Sequence, residues 1–280
     1  MIKPIFQDKP LYPEIFWQRP SNIHQKRGRV FILGGEKNIA QTLFFCEILY
    51  YSGVAKIGLG YPDAISETLQ SILPKEFHLP LPSSKEKTLS KDCINIIKKI
   101  SEEYDLFVIG MGLSKNKETQ EIVKNMVIFK KPTLFYGEGI IAEEQALYQN
   151  RRSSIIFFDH NLALWVNQTT YDVESNPFIC IEKLLNNLSG NGLVVVYENL
   201  SNRQVIVGFS DKIVATQGAV THEVLLGLIS AFWAQNINQP FESACSASFV
   251  AKIWQENFKE INEIEKAINQ TERFMEGLNE

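Results

Sequence analysis

From Arg29 onward the chain alternates short, continuously apolar runs with longer segments whose apolar positions follow a helical spacing. RVFILGG (29–35) is an apolar run closed by two glycines, and NIAQTLFFCEILYYSG (38–53) follows as a buried helix that stops at Gly53. The alternation continues with strands at 54–60, 105–112, 132–139 and 153–160 and with helices at 63–73 and 117–129. Apolar strands separated by helices predict an α/β protein with a mostly parallel sheet covered on both faces. A helix at 176–191 leads into GLVVVYE (192–198), a strong strand. Two weaker strands, 203–208 and 212–216, predict a small β-meander at the sheet edge in the C-terminal third. Beyond the helix that begins near residue 222, residues 241–277 hold no proline and a single glycine at their end. Their apolar steps of three to six residues predict one long or two consecutive amphipathic helices.

Within 280 residues we find no repeat, low-complexity tract or internal linker, so a single domain is expected. The expected organisation is a proline-studded arm over 1–25, an α/β domain over 26–247 and a helical extension of that domain over 248–280. The arm's Phe6, Tyr12, Phe16 and Trp17 need apolar surroundings, which predicts an arm packed on the domain.

The charge balance, 28 basic against 32 acidic residues, argues against nucleic acid or an anionic membrane as partner and leaves small molecules or proteins. Cys46, Cys93, Cys180 and Cys245 are scattered without a C-x-x-C pair, so we expect buried, reduced thiols and no metal site. No stretch has the length of a membrane span or the pattern of a signal peptide, and a soluble cytoplasmic protein is expected. The apolar positions of the last helices fit either core or a subunit contact, and a homo-oligomer is expected.

Ligands of open α/β sheets bind beyond the carboxyl ends of the strands, so the corners that follow strands are where chemistry is sought. In order they are GRVFILGGEKNIAQT, VIGMGLSKNKET, KPTLFYGEGI, FFDHNLALW, VVVYEN and GAVTHEVLLGLISAFWAQN. Over residues 26–247 this ordered series resembles the ribokinase-like ADP- or ATP-dependent NAD(P)H-hydrate dehydratase family. The resemblance implies a three-layer ribokinase-like fold, ADP or ATP with Mg²⁺ as cofactor, and a nicotinamide cofactor as substrate. EVLLGLISAFWAQN is similar to the family's helix D-V-L-A-G-I-I-A-A-L-L-A-Q-G, and VIGMGL to its I-G-P-G-L-G corner. The departures lie in the corners. The family's G-[ST]-G-D turn is here Val220, Thr221, His222 and Glu223. Its D-A-D aspartates are Tyr136 and Glu138, and its K-G pair is Tyr197 and Glu198. Its T-P-H-P-G-E corner keeps only His160, and Asn38 to Thr42 stand in place of Y-T-G-A-P.

Glycines in such a turn let backbone N–H groups close on a phosphate at a helix N-terminus, while the aspartate handles the proton of the attacked hydroxyl. β-Branched Val220 and Thr221 resist positive φ, and His222 adds bulk where a phosphoryl group would sit. Glu223 is either a surviving catalytic base or a first-turn carboxylate worth about 0.3–1 kcal/mol to the helix. Thr221 reads most simply as an N-cap, and with His222 it is also a candidate nucleotide or substrate contact. Gly34 and Gly35 form a tight turn with a weak claim on phosphate. Gly110 and Gly112 permit either close approach of a ligand or a sharp turn. Glu138, between two glycines, is a candidate ligand contact. His160, beside Asp159 at a strand end, could form an acid–base pair with it or contact a nucleotide or substrate, and a capping or surface role is the plainer reading.

Two functions follow. One is an impaired dehydratase homologue kept for ligand binding or assembly; the other is an active dehydratase or small-molecule kinase that uses Glu223.

Overall fold

The computed structural model describes residues 2–17, 26–141, 145–149, 151, 153–159, 162–167, 169–188 and 192–276. Among them ten strands form one sheet: β1 (Ile5–Gln7), β2 (Arg27–Leu33), β3 (Val54–Pro62), β4 (His78–Leu81), β5 (Leu106–Ile109), β6 (Thr133–Tyr136), β7 (Ser154–Phe158), β8 (Leu193–Asn199), β9 (Gln204–Phe209) and β10 (Lys212–Gln217). Their order is β1-β10-β9-β8-β7-β6-β5-β2-β3-β4, parallel except where β9 pairs antiparallel with both β8 and β10.

Successive strand residues point to opposite faces, so runs such as Val30-Phe31-Ile32-Leu33 feed two cores at once. Val30 and Ile32 pack under α1 (Glu14–Trp17), α2 (Ile39–Tyr51), α3 (Ser66–Gln70), α10 (His222–Gln235), α11 (Pro240–Asn257) and α12 (Ile264–Glu276). Phe31 and Leu33 pack under α4 (Cys93–Ile100), α5 (Lys117–Ile128), α6 (Gln145–Gln149), α7 (Leu162–Val166), α8 (Thr170–Ser175) and α9 (Pro177–Asn187). The architecture is therefore the three-layer α/β sandwich that the alternation predicts. All four cysteines are free and buried.

Three details differ from expectation. The meander of β8, β9 and β10 forms, but it is not the sheet edge, because the arm adds β1 parallel to β10, with Gln7 opposite Thr216. Gln7 also ties the arm to α11, donating from Nε2 to the Cys245 carbonyl at 3.0 Å. The second edge strand, β4, was not expected at all; it contains Pro80, which a sheet accepts only where a backbone donor is not needed. The boundary placed between 247 and 248 falls inside α11.

The last helices also find their partners within the chain. Phe249, Ile253, Ile264 and Ile268 are buried in the core shared with α2 and α10. An apolar seam is thus explained without a second subunit. Among the described residues no helix is long and apolar enough to cross a membrane.

One buried cation joins α5 to β6. The Arg151 guanidinium donates to the carbonyls of Met126, Val127, Phe129 and Lys131 and to the hydroxyls of Thr133 and Ser154. It thereby satisfies orphan carbonyls of the helix end and the turn after it. Burial lowers its pKa to about 10.

Candidate functional site

Strands β2, β5, β6, β7 and β8 all end on one side of the sheet, and the first turn of α10 lies over the ends of β6, β7 and β8. Glu198, near the end of β8, points to the α10 face, because its neighbours Val194 and Val196 belong to that core while Tyr197 belongs to the opposite one. Its carboxylate accepts a hydrogen bond from His222 Nδ1. The His222 ring packs against Tyr136 at the end of β6, with centroids 4.8 Å apart, and meets Phe157 of β7 edge-on at 4.9 Å. Its Nε2 is buried without a hydrogen-bond partner.

The electrostatics of this corner are negative. Burial opposes a charge on His222. The hydrogen bond and charge of Glu198 outweigh that, with help from Glu223 and Asp159, and the imidazole pKa is raised. The Tyr136 phenol is pushed up by burial and then by Asp159, Glu223, Glu138 and Glu198. Four carboxylates therefore act on one ring. Tyr197, buried on the other face, is raised to about 12 mainly by desolvation and faces away from this corner.

The sequence-predicted residues separate into two groups. Thr221, His222 and Glu223 come together at the start of α10, and Glu138 is close enough for its charge to act on Tyr136. Glu223 accepts a 2.9 Å hydrogen bond from Gln41 of α2, and Glu138 lies 3.6 Å from Lys115 Nζ. Thr221 occupies the N-cap position, but its hydroxyl does not cap. It donates to Gln255 Oε1 of α11 at 2.7 Å. His160 lies outside the described residues.

Gly34, Gly35, Gly110 and Gly112 serve backbone packing. Gly34 N–H donates to Gly60 and Gly35 N–H to Met111, while Lys37 N–H donates to Gly112. Gly110 has φ +132°, and a Cβ there would lie 1.6 Å from the Tyr136 carbonyl; one on Gly112, at φ +64°, would lie 1.9 Å from that of Lys37. Close backbone docking is reason enough for glycine at 35, 110 and 112, whereas a Cβ on Gly34 would come no nearer than 3.1 Å, to the Leu59 side chain.

Sequence reasoning gave Glu198 no role, although a carboxylate ending an otherwise apolar strand is a signal that it needs a buried partner. Gln41, Phe157 and Gln255 carry no such signal. They are recognisable only once α2, β7 and α11 are placed around α10.

No family model matches the chain. The bifunctional NAD(P)H-hydrate repair enzyme Nnr of Hyperthermus butylicus is 21% identical over 237 residues, covering 80% of this chain and 43% of that enzyme. The chain thus spans less than half of that relative's length. Among solved structures, SMU.573 from Streptococcus mutans superimposes with a TM-score of 0.72 at 18% identity, covering 97% of this chain and 99% of that one. Bacillus subtilis YxkO, of the UPF0031 family, gives 0.71 at 13% identity over 98% and 100% of the two chains. An ADP/ATP-dependent NAD(P)H-hydrate dehydratase from Bacillus subtilis, co-crystallised with ATP/Mg²⁺ and soaked with CoA, gives 0.66 at 13% identity, over 96% of this chain and 100% of that one. The protein has the ribokinase-like fold. Within that class it resembles, in sequence and in fold, the ADP/ATP-dependent NAD(P)H-hydrate dehydratases.

Proposed function

We propose that this chain is a divergent relative of the NAD(P)H-hydrate dehydratases in which phosphoryl transfer has been lost and ligand binding kept. The observation that carries the reading is the buried His222–Glu198 pair. At a helix N-terminus built for phosphate, backbone N–H groups converge on an anion. Here an imidazole ring occupies the first turn, with the charges of Glu198, Glu223 and Asp159 acting on it and that of Glu138 on the neighbouring Tyr136. Neither Val220 nor Thr221 takes the positive φ of an anion-binding nest.

The residues present therefore do not fit the terminal phosphates of ADP or ATP with Mg²⁺. An anionic corner with aromatic walls suits a neutral or cationic small molecule, and the nicotinamide end of a cofactor has that character. The four buried free cysteines suit a reducing compartment, from which we infer a cytoplasmic location.

A second reading rests on Glu223. Its carboxylate is oriented by Gln41 at the start of α10, where a base for a substrate hydroxyl would stand. The two readings part in a turnover assay of hydrated NADH with ADP or ATP and Mg²⁺. The first expects no turnover. The second expects turnover that Glu223→Gln abolishes. A thermal-shift panel of ADP, ATP, NADH and NADPH, with and without Mg²⁺, supplements it: saturable stabilisation by ADP or ATP would overturn the loss of the phosphate site.

A further inference from the structure

On the far side of the turn that precedes α10 lies a cavity of about 520 Å³, walled by α11, by α12 and by the segment following β1. It is separate from the His222 corner and shares none of its residues. Its apolar wall comes from Phe249 and Ile253, both buried, and from Phe274 of α12, which is 51% exposed. A half-exposed phenylalanine at the rim of a concave surface gives a flat ligand something to lie against.

Three cations reach the same space: Lys9, Lys252 and Arg273. Among the described residues none of them is in an ion pair, whereas Lys115, Lys131 and Lys266 each have one. Lys252 is held in place by its stem. A Cβ on Gly218 would lie 3.0 Å from Lys252 Cγ, and the ammonium is 5.9 Å from the Phe249 ring centroid. Two carboxylates, Asp8 and Glu256, share the wall, so three positive charges face two negative ones. A balance of +1 suits a monoanion better than a multiply charged phosphate or a cation.

We propose that this cavity is a second binding site, for a small organic carboxylate with a flat apolar body. The carboxylate is met by Lys252 and Arg273 and the body by Phe249, Ile253 and Phe274. The volume lies within the range of about 300–1,000 Å³ typical of small-molecule sites. This inference does not depend on the fate of phosphoryl transfer at the His222 corner.

Isothermal titration of the full chain with 2-naphthoate tests it, with 2-naphthamide, 2-naphthylmethylamine and inorganic phosphate as comparisons. Saturable one-site binding of 2-naphthoate is expected, with the amide about tenfold weaker or more, and the amine and phosphate weaker still. Lys252→Gln and Arg273→Gln should each weaken 2-naphthoate about tenfold while leaving the amide unchanged. Phe274→Ala should weaken both naphthyl acid and amide. All three changes are at exposed or half-buried positions, and unaltered melting temperatures would verify folding. Equal affinity for acid and amide, wild-type binding by both charge variants, or no binding of 2-naphthoate would each overturn the proposal.

Discussion

Replacing His222 by alanine removes the hydrogen-bond donor of a carboxylate that has almost no access to water. The Glu198 side chain is 4% exposed and that of His222 21%, so the pair is largely dry. Breaking a fully buried ion pair from one side costs about 3–5 kcal/mol, because the remaining charge stays buried and unpaired. The partial exposure of the imidazole places His222→Ala near the lower end, at about 3 kcal/mol. Against a total stability of about 5–15 kcal/mol that is a large fraction. Removing both partners by Glu198→Leu with His222→Leu should cost much less than the sum of the single changes, since a well-packed apolar pair is close to neutral. Urea unfolding followed by circular dichroism at constant m-value would measure the full cycle. Additive costs in the cycle, or single costs below about 1 kcal/mol, would refute a coupled buried pair.

The same pair has a pH signature. The folded pKa of His222 is raised, so its contribution to stability is fully present below the unfolded value of 6.5 and is lost as pH rises through the folded pKa. Proton NMR of the imidazole should show a midpoint above 6.5 that Glu198→Gln lowers; an unmoved midpoint would exclude Glu198 as the cause. Arg151→Met strands four carbonyls and should cost about 3–5 kcal/mol by calorimetry, whereas a loss below about 1 kcal/mol would mean that water replaces the guanidinium. Gly110→Ala puts a methyl group 1.6 Å from the Tyr136 carbonyl at φ +132°, so soluble yield should collapse; a well-folded variant would show that the β5 and β6 corners can separate.

The central strands were legible because burial on both faces demands continuous apolar runs, as in Val30 to Leu33 and Val194 to Val196. The edges were not. β1 has three residues and β4 has four, one of them proline, and neither length nor composition distinguishes such segments from loops. At the site, the anomaly of Val220, Thr221 and His222 could be read from the chain, but its resolution could not. His222 and Glu198 are 24 positions apart, and Gln41 and Glu223 are 182 apart, so each pairing exists only through the sheet order. The glycines of the corners stay ambiguous for a related reason. A glycine required by backbone docking and one required by a phosphate look identical in sequence.

The arm strand has a consequence for how the chain comes to be folded. Ile5, Phe6 and Gln7 pair with Val214, Ala215 and Thr216, partners 209 residues further along. During synthesis this segment must wait until almost the whole sheet has been made before it has anything to pair with. Its docking is thus among the last events, and until then the outer side of β10 is an open template for another chain. A three-residue strand whose partner edge is made last is thus the element of this fold most open to exchange between molecules.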